Sequence, residues 1–229
     1  MTRRFSEIQI ETTIATLFHI IGLIGILFIN KQFFSSLTFF NLILSFILLF
    51  WTHLKKGFSF YLFLISSVII GFVAEVIGVN TGFLFGNYHY ENLLGISLCG
   101  VPLIIGINWF VIIYCSGNCM HTLLQKMISR TSTDANNPPA ALKALSVIVD
   151  GATLAVFFDW VMEPVAVKLG FWKWESGSIP LYNYISWLLI SMLILLIFHF
   201  SNFKKGNKFA INLFLIQLMF FLVLRTFLK

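Results

Sequence analysis

The sequence predicts an all-α, polytopic bundle of about seven transmembrane helices, and three observations lead to this prediction. Hydrophobic residues make up 59% of the 229 residues and charged residues only 10%, whereas about 25% of residues are charged in soluble domains. The mean hydropathy is +0.92. Apolar runs also recur at close to the roughly 20 residues that a helix needs to cross a bilayer. We therefore expect a single integral membrane domain over residues 1–229.

Seven apolar segments correspond to the predicted helices. In chain order they cover residues 11–29, 34–51, 58–79, 96–118, 142–163, 183–200 and 209–228. The third, sixth and seventh show the pattern most clearly. The first follows a basic amino terminus, but Glu7 and Glu11 interrupt the signal-peptide pattern and no small-residue cleavage site follows, so we expect it to remain as a spanning helix. A polar linker at about 129–141 separates the fourth segment from the fifth.

The distribution of basic residues predicts the orientation of these helices. With seven spans, ten Lys and Arg residues fall on the side of the amino terminus and five on the opposite side. Lys and Arg are retained on the cytoplasmic side of a membrane, so we predict a cytoplasmic amino terminus. We interpret the net charge of +6 as this topology signal, and we expect no nucleic-acid partner. The cysteines Cys99, Cys115 and Cys119 form no CxxC pair, so neither a disulfide framework nor a zinc site is predicted.

Two unusual loops, at residues 81–90 and 170–174, fall on the predicted outer side. Glu75 precedes Gly82 by seven positions, and Glu163 precedes Gly170 by the same interval. Beyond each loop come a proline, an asparagine and a tryptophan, which are Pro102, Asn108 and Trp109 in one case and Pro180, Asn183 and Trp187 in the other. This pattern favours a weak parallel repeat of two helical hairpins. The alternative is that both loops are ordinary aromatic–glycine loops of a membrane interface.

Carboxyl groups inside the predicted spans are the first candidates for chemistry, because a charge in the bilayer interior is costly and usually marks a function. Asp159 and Glu163 are four residues apart and therefore share one helical face. Glu75 lies at a similar depth, near the outer end of the third helix. If the third and fifth helices pack together, the three carboxyl groups meet in one cavity. Asp150 points about 180° away from Asp159 on an ideal helix, which favours a structural role.

Carboxyl groups that share a poorly solvated cavity cannot all be ionised. One stays protonated while another can accept a proton from water, a division that suits acid–base chemistry on an apolar substrate. We therefore predict Glu75, Asp159 and Glu163 as catalytic residues. The alternative is that Glu163, beside Pro164, ends its helix in the solvated headgroup layer while Asp159 bonds to a neighbouring Trp or Asn.

Aromatic and amide side chains surround these acids in the predicted topology. Aromatic faces stabilise a carbocation through cation–π attraction, which matters if an alkene is protonated. An ordinary interfacial belt of Trp and Tyr is the alternative. The predicted substrate-binding residues are Tyr88, Tyr90, Asn108, Trp109, Trp160, Trp172, Trp174, Asn183 and Trp187.

Several enzyme classes do not fit the sequence. Its five histidines are scattered, which excludes the histidine boxes of membrane oxygenases and desaturases. No glycine-rich nucleotide-binding motif follows a strand, so we expect no cofactor, and no metal site is predicted. The segment Asp159-Trp-Val-Met-Glu163 superficially resembles the acidic motifs of membrane prenyltransferases. A single such pair without flanking arginines supports that function only weakly.

Several separate motifs, in this order along the chain, resemble a known family. They are Glu75-Val-Ile-Gly-Val-Asn-Thr-Gly-Phe-Leu-Phe-Gly-Asn-Tyr-His-Tyr90, Gly100-Val-Pro102, Asn108-Trp109, Asp159-Trp-Val-Met-Glu-Pro164, Gly170-Phe-Trp-Lys-Trp174, and Pro180, Asn183 and Trp187. Together they resemble the carotenoid biosynthesis membrane proteins that contain the carotenoid 1',2'-hydratases, of the bisanhydrobacterioruberin and γ-carotene hydratase type. The motif-bearing core covers about residues 65–190.

The resemblance implies a cofactor-independent hydratase that adds water to the terminal double bond of an acyclic carotenoid ψ-end. It also implies an acyclic or monocyclic carotenoid such as lycopene or γ-carotene as partner, next to membrane lipid and other enzymes of the pathway. We expect the protein in the inner membrane of a prokaryotic cell. In this hypothesis Glu163 or Asp159 protonates the alkene, the partner acid or Glu75 orients the water, and Asn108 and Asn183 hold that water. Tyr88, Trp160 and Trp172 shield the cation.

Two other functions remain open on the sequence. A membrane lycopene cyclase also protonates an acyclic end group, but an internal double bond then captures the cation and no water is added. A proton-coupled transporter or a carotenoid-binding protein would leave the substrate unchanged and use the buried acids as a proton relay.

Overall fold

The computed structural model describes residues 2–131 and 138–228. Nine α-helices lie in these ranges: α1 Thr2–Ile24, α2 Lys31–Ser36, α3 Thr38–Thr52, α4 Phe58–Thr81, α5 Leu103–Thr131, α6 Ala140–Leu145, α7 Gly151–Leu169, α8 Leu181–Phe200 and α9 Lys208–Phe227. Four short strands accompany them: β1 Tyr88–Tyr90, β2 Ser97–Leu98, β3 Val101–Pro102 and β4 Trp172–Trp174.

Seven helical stretches in the described ranges are long and apolar enough to cross a membrane. They are Ile8–Ile29, Lys31–Thr52, Phe58–Thr81, Leu103–Arg130, Ala140–Leu169, Leu181–Phe200 and Lys208–Phe227. The all-α, seven-helix prediction is therefore confirmed, and the chain is an integral membrane protein. The orientation of the bundle remains a prediction, as does its description as a single domain. Part of the predicted linker at 129–141, residues 132–137, lies outside the described residues.

Helix α5 is the centre of the bundle. It contacts α3, α4, α7, α8 and α9, and its side chains from Phe110 to Cys115 are buried. The helices around α5 also carry large apolar side chains on the faces that point away from the core, where Phe58, Ile69 and Leu189 are exposed. Such a surface is suited to lipid, because soluble monomeric proteins rarely expose large contiguous apolar patches.

The fourth predicted segment begins later than expected. Residues 96–118 were expected to be helical, but α5 begins at Leu103 because the preceding residues form a β-hairpin. Strand β2 pairs with β3 in the register Ser97 with Pro102 and Leu98 with Val101. The turn between them has positive φ at both Cys99 and Gly100, a conformation that no helix contains.

Helix α7 continues through Pro164 to Leu169, well beyond the predicted end at residue 163. Proline removes the N–H that would bond to the carbonyl four residues earlier, which here belongs to Trp160. The guanidinium of Arg225 on α9 donates a hydrogen bond to that carbonyl and therefore replaces the missing donor. As a result Glu163 lies inside a helix and not at its solvated end.

Helices α4 and α7 end in the same way and at the same end of the bundle. Each has a left-handed glycine as its C-cap, with φ of 67° at Gly82 and 76° at Gly170. After each of these glycines the chain turns back as a strand, and β1 pairs antiparallel with β4. Helices α5 and α8 follow the two strands and pack on α4 and α7 respectively. The two hairpins α4–β1–α5 and α7–β4–α8 therefore have corresponding layouts around a shared two-stranded sheet.

A hydrogen-bonded network closes the opposite end of the bundle. His53 follows α3 and its Nδ1 lies 2.7 Å from the hydroxyl of Tyr114 on α5. Asn207, in the connection before α9, donates to the same hydroxyl over 3.2 Å and to Thr52 over 3.1 Å. Asn118 accepts the backbone N–H groups of Gly206 and Asn207. Two connecting loops are thereby fixed to α5.

Candidate active site

A small cavity lies beneath the β1–β4 sheet, between α4, α5, α7 and α8. It encloses about 30 Å³, which is room for one or two water molecules. Of the twelve predicted site residues, eleven line it: Glu75, Tyr88, Tyr90, Asn108, Trp109, Asp159, Glu163, Trp172, Trp174, Asn183 and Trp187. The three carboxyl groups therefore meet in one place. Phe85, Ile105 and Met162 complete the wall.

The sheet supplies donors because its residues alternate in direction. Successive side chains on a strand point to opposite faces, so Tyr88 and Tyr90 share one face while His89 points to the other. Strand β4 repeats this pattern, with Trp172 and Trp174 directed inward and Lys173 outward. The register pairs Tyr88 with Trp174 and Tyr90 with Trp172. Consequently four aromatic residues form one roof, while His89 and Lys173 are exposed.

Glu75 has three hydrogen-bond donors. The hydroxyls of Tyr88 and Tyr90 both donate to its Oε2, the latter over 2.8 Å. The indole Nε1 of Trp109 donates to its Oε1 over 2.9 Å. Burial and the neighbouring Glu75 carboxylate raise the pKa of both tyrosine hydroxyls well above the ordinary value. The phenols therefore remain protonated and act as donors to the Glu75 carboxyl group.

Glu163 is bound in a similar way by the other strand. Trp174 Nε1 donates to Oε1 over 2.7 Å, and Trp172 Nε1 lies 3.1 Å from both carboxylate oxygens. Each glutamate is thus bound by two aromatic residues from the strand that follows its own helix. The alternative of an ordinary interfacial belt does not describe Trp174, which is buried and uses its only polar side-chain atom to bind Glu163.

Asp159 has the fewest hydrogen-bond donors of the three acids. It is 1% exposed, compared with 5% for Glu75 and 3% for Glu163. Within the described residues its one side-chain donor is the amide of Asn183 on α8, at 3.2 Å. The neighbouring Trp187 stacks on Trp109 with ring centroids 3.9 Å apart. This stack joins the two hairpins below the sheet and fixes the indole that binds Glu75.

One predicted site residue lies elsewhere. Trp160 follows Asp159 but is 45% exposed on the outer face of α7. Its ring packs under the guanidinium of Arg225 at 4.0 Å and against Phe157. A shift of one residue turns a side chain by about 100° on a helix, which explains why sequence proximity to Asp159 does not bring Trp160 into the cavity.

The cavity residues that the sequence did not single out are apolar. Met162 lies three residues beyond Asp159, and Ile105 lies four before Trp109, so each shares a helical face with a predicted site residue. That spacing was a usable signal. Phe85 gives no such signal, since it lies in the loop between α4 and β1.

Two glycines of α4 allow aromatic rings to pack directly on the helix backbone. A Cβ on Gly71 would collide with the Trp109 side chain, and a Cβ on Gly78 would collide with the Phe85 ring.

The electrostatics of the cavity are dominated by these acids. Its described lining contains no Lys or Arg side chain, so the carboxyl groups are hydrogen-bonded only by neutral donors. Among the described residues, no three His, Cys, Asp or Glu side chains form a group that could hold a metal ion. Such an arrangement can hold a proton on one carboxyl group, keep another ionised, and stabilise a nearby positive charge through carboxylates and aromatic faces.

Comparison with known proteins gives one family. The family model for carotenoid biosynthesis proteins matches residues 33–229. The bisanhydrobacterioruberin hydratase of Haloarcula japonica is 26% identical over 149 residues, which are 63% of this chain and 46% of that protein. The chain thus spans less than half the length of this curated relative. No solved structure matches the chain. Because the family model covers most of the sequence, including every residue that lines the cavity, the chain belongs to the carotenoid biosynthesis protein family.

Proposed function

We propose that this protein is a carotenoid-modifying enzyme, and specifically a carotenoid 1',2'-hydratase. It adds water to the terminal double bond of an acyclic ψ-end and leaves a tertiary alcohol. The proposal extends the family membership and the name of the Haloarcula japonica relative to a particular reaction. The substrate is an acyclic or monocyclic carotenoid, such as lycopene or γ-carotene, which reaches the enzyme from the membrane.

One observation carries this proposal. Three buried carboxyl groups from two helices line a cavity with room for one or two waters, under a roof of aromatic rings. Acid-catalysed hydration requires a proton donor, a positioned water with a base, and a surrounding that tolerates a tertiary cation. Glu75, Asp159 and Glu163 supply the first two requirements. Aromatic faces and the remaining negative charge supply the third.

The substrate end group enters a cavity that is smaller than itself, so part of the wall moves when it binds. Tyr90, Asn108 and Trp172 are the half-buried members of the lining, whereas the others are buried. We propose that the end group enters past these three side chains. The conjugated chain then stays in the lipid, and Asn108 and Asn183 orient the water. No redox change occurs in the reaction, and it uses no redox cofactor.

The test is the mass and absorption spectrum of carotenoids from a lycopene-accumulating host, with and without the protein. A product heavier by one water, with an unchanged chromophore, is expected. The matched variant is Glu163→Gln, which should accumulate in the membrane at the wild-type level and form at least tenfold less water adduct. Asp150→Asn is the control, because Asp150 is exposed and accepts a hydrogen bond from Ser146 away from the cavity.

Other outcomes identify the alternatives. A product of unchanged mass with a blue-shifted spectrum would indicate a cyclase and overturn the hydratase proposal. If the protein is well expressed while both lycopene and γ-carotene stay unchanged, the transporter or carotenoid-binding function replaces it.

A further inference from the structure

We propose that the three carboxyl groups have fixed and different tasks: Asp159 gives its proton to the alkene, Glu163 takes a proton from the attacking water, and Glu75 remains a permanent anion. This inference rests on the proposed hydratase function. It assigns tasks to individual residues, which the sequence left open among the three acids, and it follows from the donors around each group.

The number of donors decides which group holds the proton. A carboxylate anion accepts hydrogen bonds at about four lone-pair positions and is stabilised by each donor it finds. Glu75 has three donors, Glu163 has two, and Asp159 has a single amide at 3.2 Å. All three groups are almost completely buried. Three anions cannot coexist in such a space, so the proton belongs to Asp159, whose charged form is the least supported.

Position decides which group is the base. Glu163 lies one helical turn beyond Asp159 and on the same face of α7. A proton that Glu163 takes from water can therefore return to Asp159 directly or through one further water molecule. The donors on Glu163 are indole N–H groups, which cannot accept a proton. The accepted proton therefore stays with the acid pair on α7.

Glu75 is placed to remain charged. It projects from α4, across the cavity from the acid pair, and two phenol hydroxyls occupy its Oε2. With Trp109 on Oε1, a protonated Glu75 would lose at least one of these hydrogen bonds. A fixed anion near a developing tertiary cation lowers the barrier through electrostatic preorganisation. Tyr88, Tyr90 and Trp109 are positioning residues in this assignment, since they act through Glu75.

The steps balance without any further reactant. The O–H bond of Asp159 breaks, and its proton bonds to C2' through the π electrons of the terminal double bond, which leaves a tertiary cation at C1'. The oxygen of water bonds to C1'. One water proton passes to Glu163 as the hydroxyl group forms. Transfer of that proton from Glu163 to Asp159 restores the starting state.

Hydrogen exchange separates the acid from the base. Membranes that contain the protein are incubated with unlabelled lycopene in D2O buffer, and both product and recovered lycopene are analysed by mass spectrometry. The wild type should give a water adduct with one carbon-bound deuterium. Glu163→Gln should form at least tenfold less adduct but return lycopene that has gained deuterium, because the cation forms and collapses back. Asp159→Asn should give neither adduct nor exchange. Glu75→Gln should reduce adduct and exchange by the same factor.

The opposite results overturn the assignment. Exchange in Asp159→Asn, or loss of exchange together with adduct in Glu163→Gln, would mean that Asp159 is not the acid. A wild type that forms no adduct contradicts the proposed function itself, which keeps the two failures distinct. Should Asp159→Asn fail to accumulate in the membrane, Asp159→Glu is compared with Asp159→Ala. Exchange in the former alone supports an acid at this position, and exchange in the latter contradicts it.

Discussion

Single hydrogen bonds to buried carboxylates decide much of the chemistry at the residue scale. The Tyr90 hydroxyl is one of the three donors on Glu75, at 2.8 Å. A hydrogen bond to a charged group contributes about 1.5–3 kcal/mol. Tyr90→Phe keeps the ring in the sheet but removes that donor, so Glu75 loses its fixed position while the fold persists.

We expect Tyr90→Phe to lower kcat at least about tenfold, which corresponds to about 1.4 kcal/mol. The measurement is the initial rate of adduct formation at equal amounts of protein in the membrane. Tyr182→Phe is the matched control, since Tyr182 is 45% exposed, and it should keep the wild-type rate. An unchanged rate in Tyr90→Phe would show that two donors are sufficient for Glu75.

His53 predicts how stability depends on pH. Burial, with a smaller contribution from the charge of Lys56, lowers the pKa of His53 to about 4. An unfolded histidine has a pKa near 6.5, so below that value the unfolded state binds more protons than the folded state does. The stability that neutral His53 contributes to the folded state is fully present above about pH 6.5, and it is lost as the pH falls towards 4. At pH 4 this loss is on the order of 3 kcal/mol, since one pKa unit corresponds to about 1.4 kcal/mol.

Thermal unfolding in detergent at pH 7, 5 and 4 measures this effect. His53→Phe keeps a ring against Phe60, on which His53 stacks at 3.8 Å, but it cannot be protonated. This variant should be less stable than the wild type at pH 7, because Tyr114 loses a hydrogen-bond partner. Its midpoint should fall less between pH 7 and pH 4. An equal fall in both proteins would assign the acid sensitivity to other groups.

At the scale of the helix, Pro164 and Arg225 form a coupled pair. Because Pro164 has no N–H group, the carbonyl of Trp160 lacks its ordinary helical donor and accepts a hydrogen bond from Arg225. Arg225→Leu leaves this carbonyl without a strong donor in an apolar setting, at a cost of about 1–3 kcal/mol. In a Pro164→Ala background the helix supplies its own N–H, and the same replacement should cost much less.

A double-mutant cycle on thermal stability therefore checks this coupling. We expect a coupling energy of about 1 kcal/mol or more between residues 164 and 225, which is in the range found for groups that share one hydrogen bond. Additive effects would mean that Arg225 stabilises α7 only by packing on the Trp160 ring.

Much of the fold, but less of the site, could be predicted from sequence at this scale. Hydropathy is a local property, so it identified seven spans, and the four-residue interval between Asp159 and Glu163 placed both on one face. The pairing of β1 with β4 depends on contact between segments more than 80 residues apart. The role of Trp172 and Trp174 as donors to Glu163 therefore could not be derived from spacing. Pro164 misled the prediction of the helix end because its compensation comes from Arg225, on another helix.

Charge is unevenly distributed along the whole molecule. The end of the bundle opposite the site carries Lys55, Lys56, Lys204, Lys205 and Lys208, while the site end carries fewer basic residues and includes Glu91 and Glu175. Positive charge is retained in the cytoplasm. We therefore predict that the sheet and the cavity face the outer side of the cell membrane and that the amino terminus faces the cytoplasm.

The native cysteines allow a direct test of this orientation. Cys99 is exposed in the turn of the β2–β3 hairpin, at the site end, whereas Cys115 is buried and Cys119 is half-buried. A membrane-impermeant maleimide added to intact cells should label the protein at Cys99, and Cys99→Ser should abolish that labelling. In the Cys99→Ser background, Asn202→Cys places a thiol at an exposed position in the connection between α8 and α9. This variant should be labelled only after the membrane is permeabilised. The reverse pattern would place the cavity on the cytoplasmic side, so that its water and the modified end group would lie at the inner leaflet.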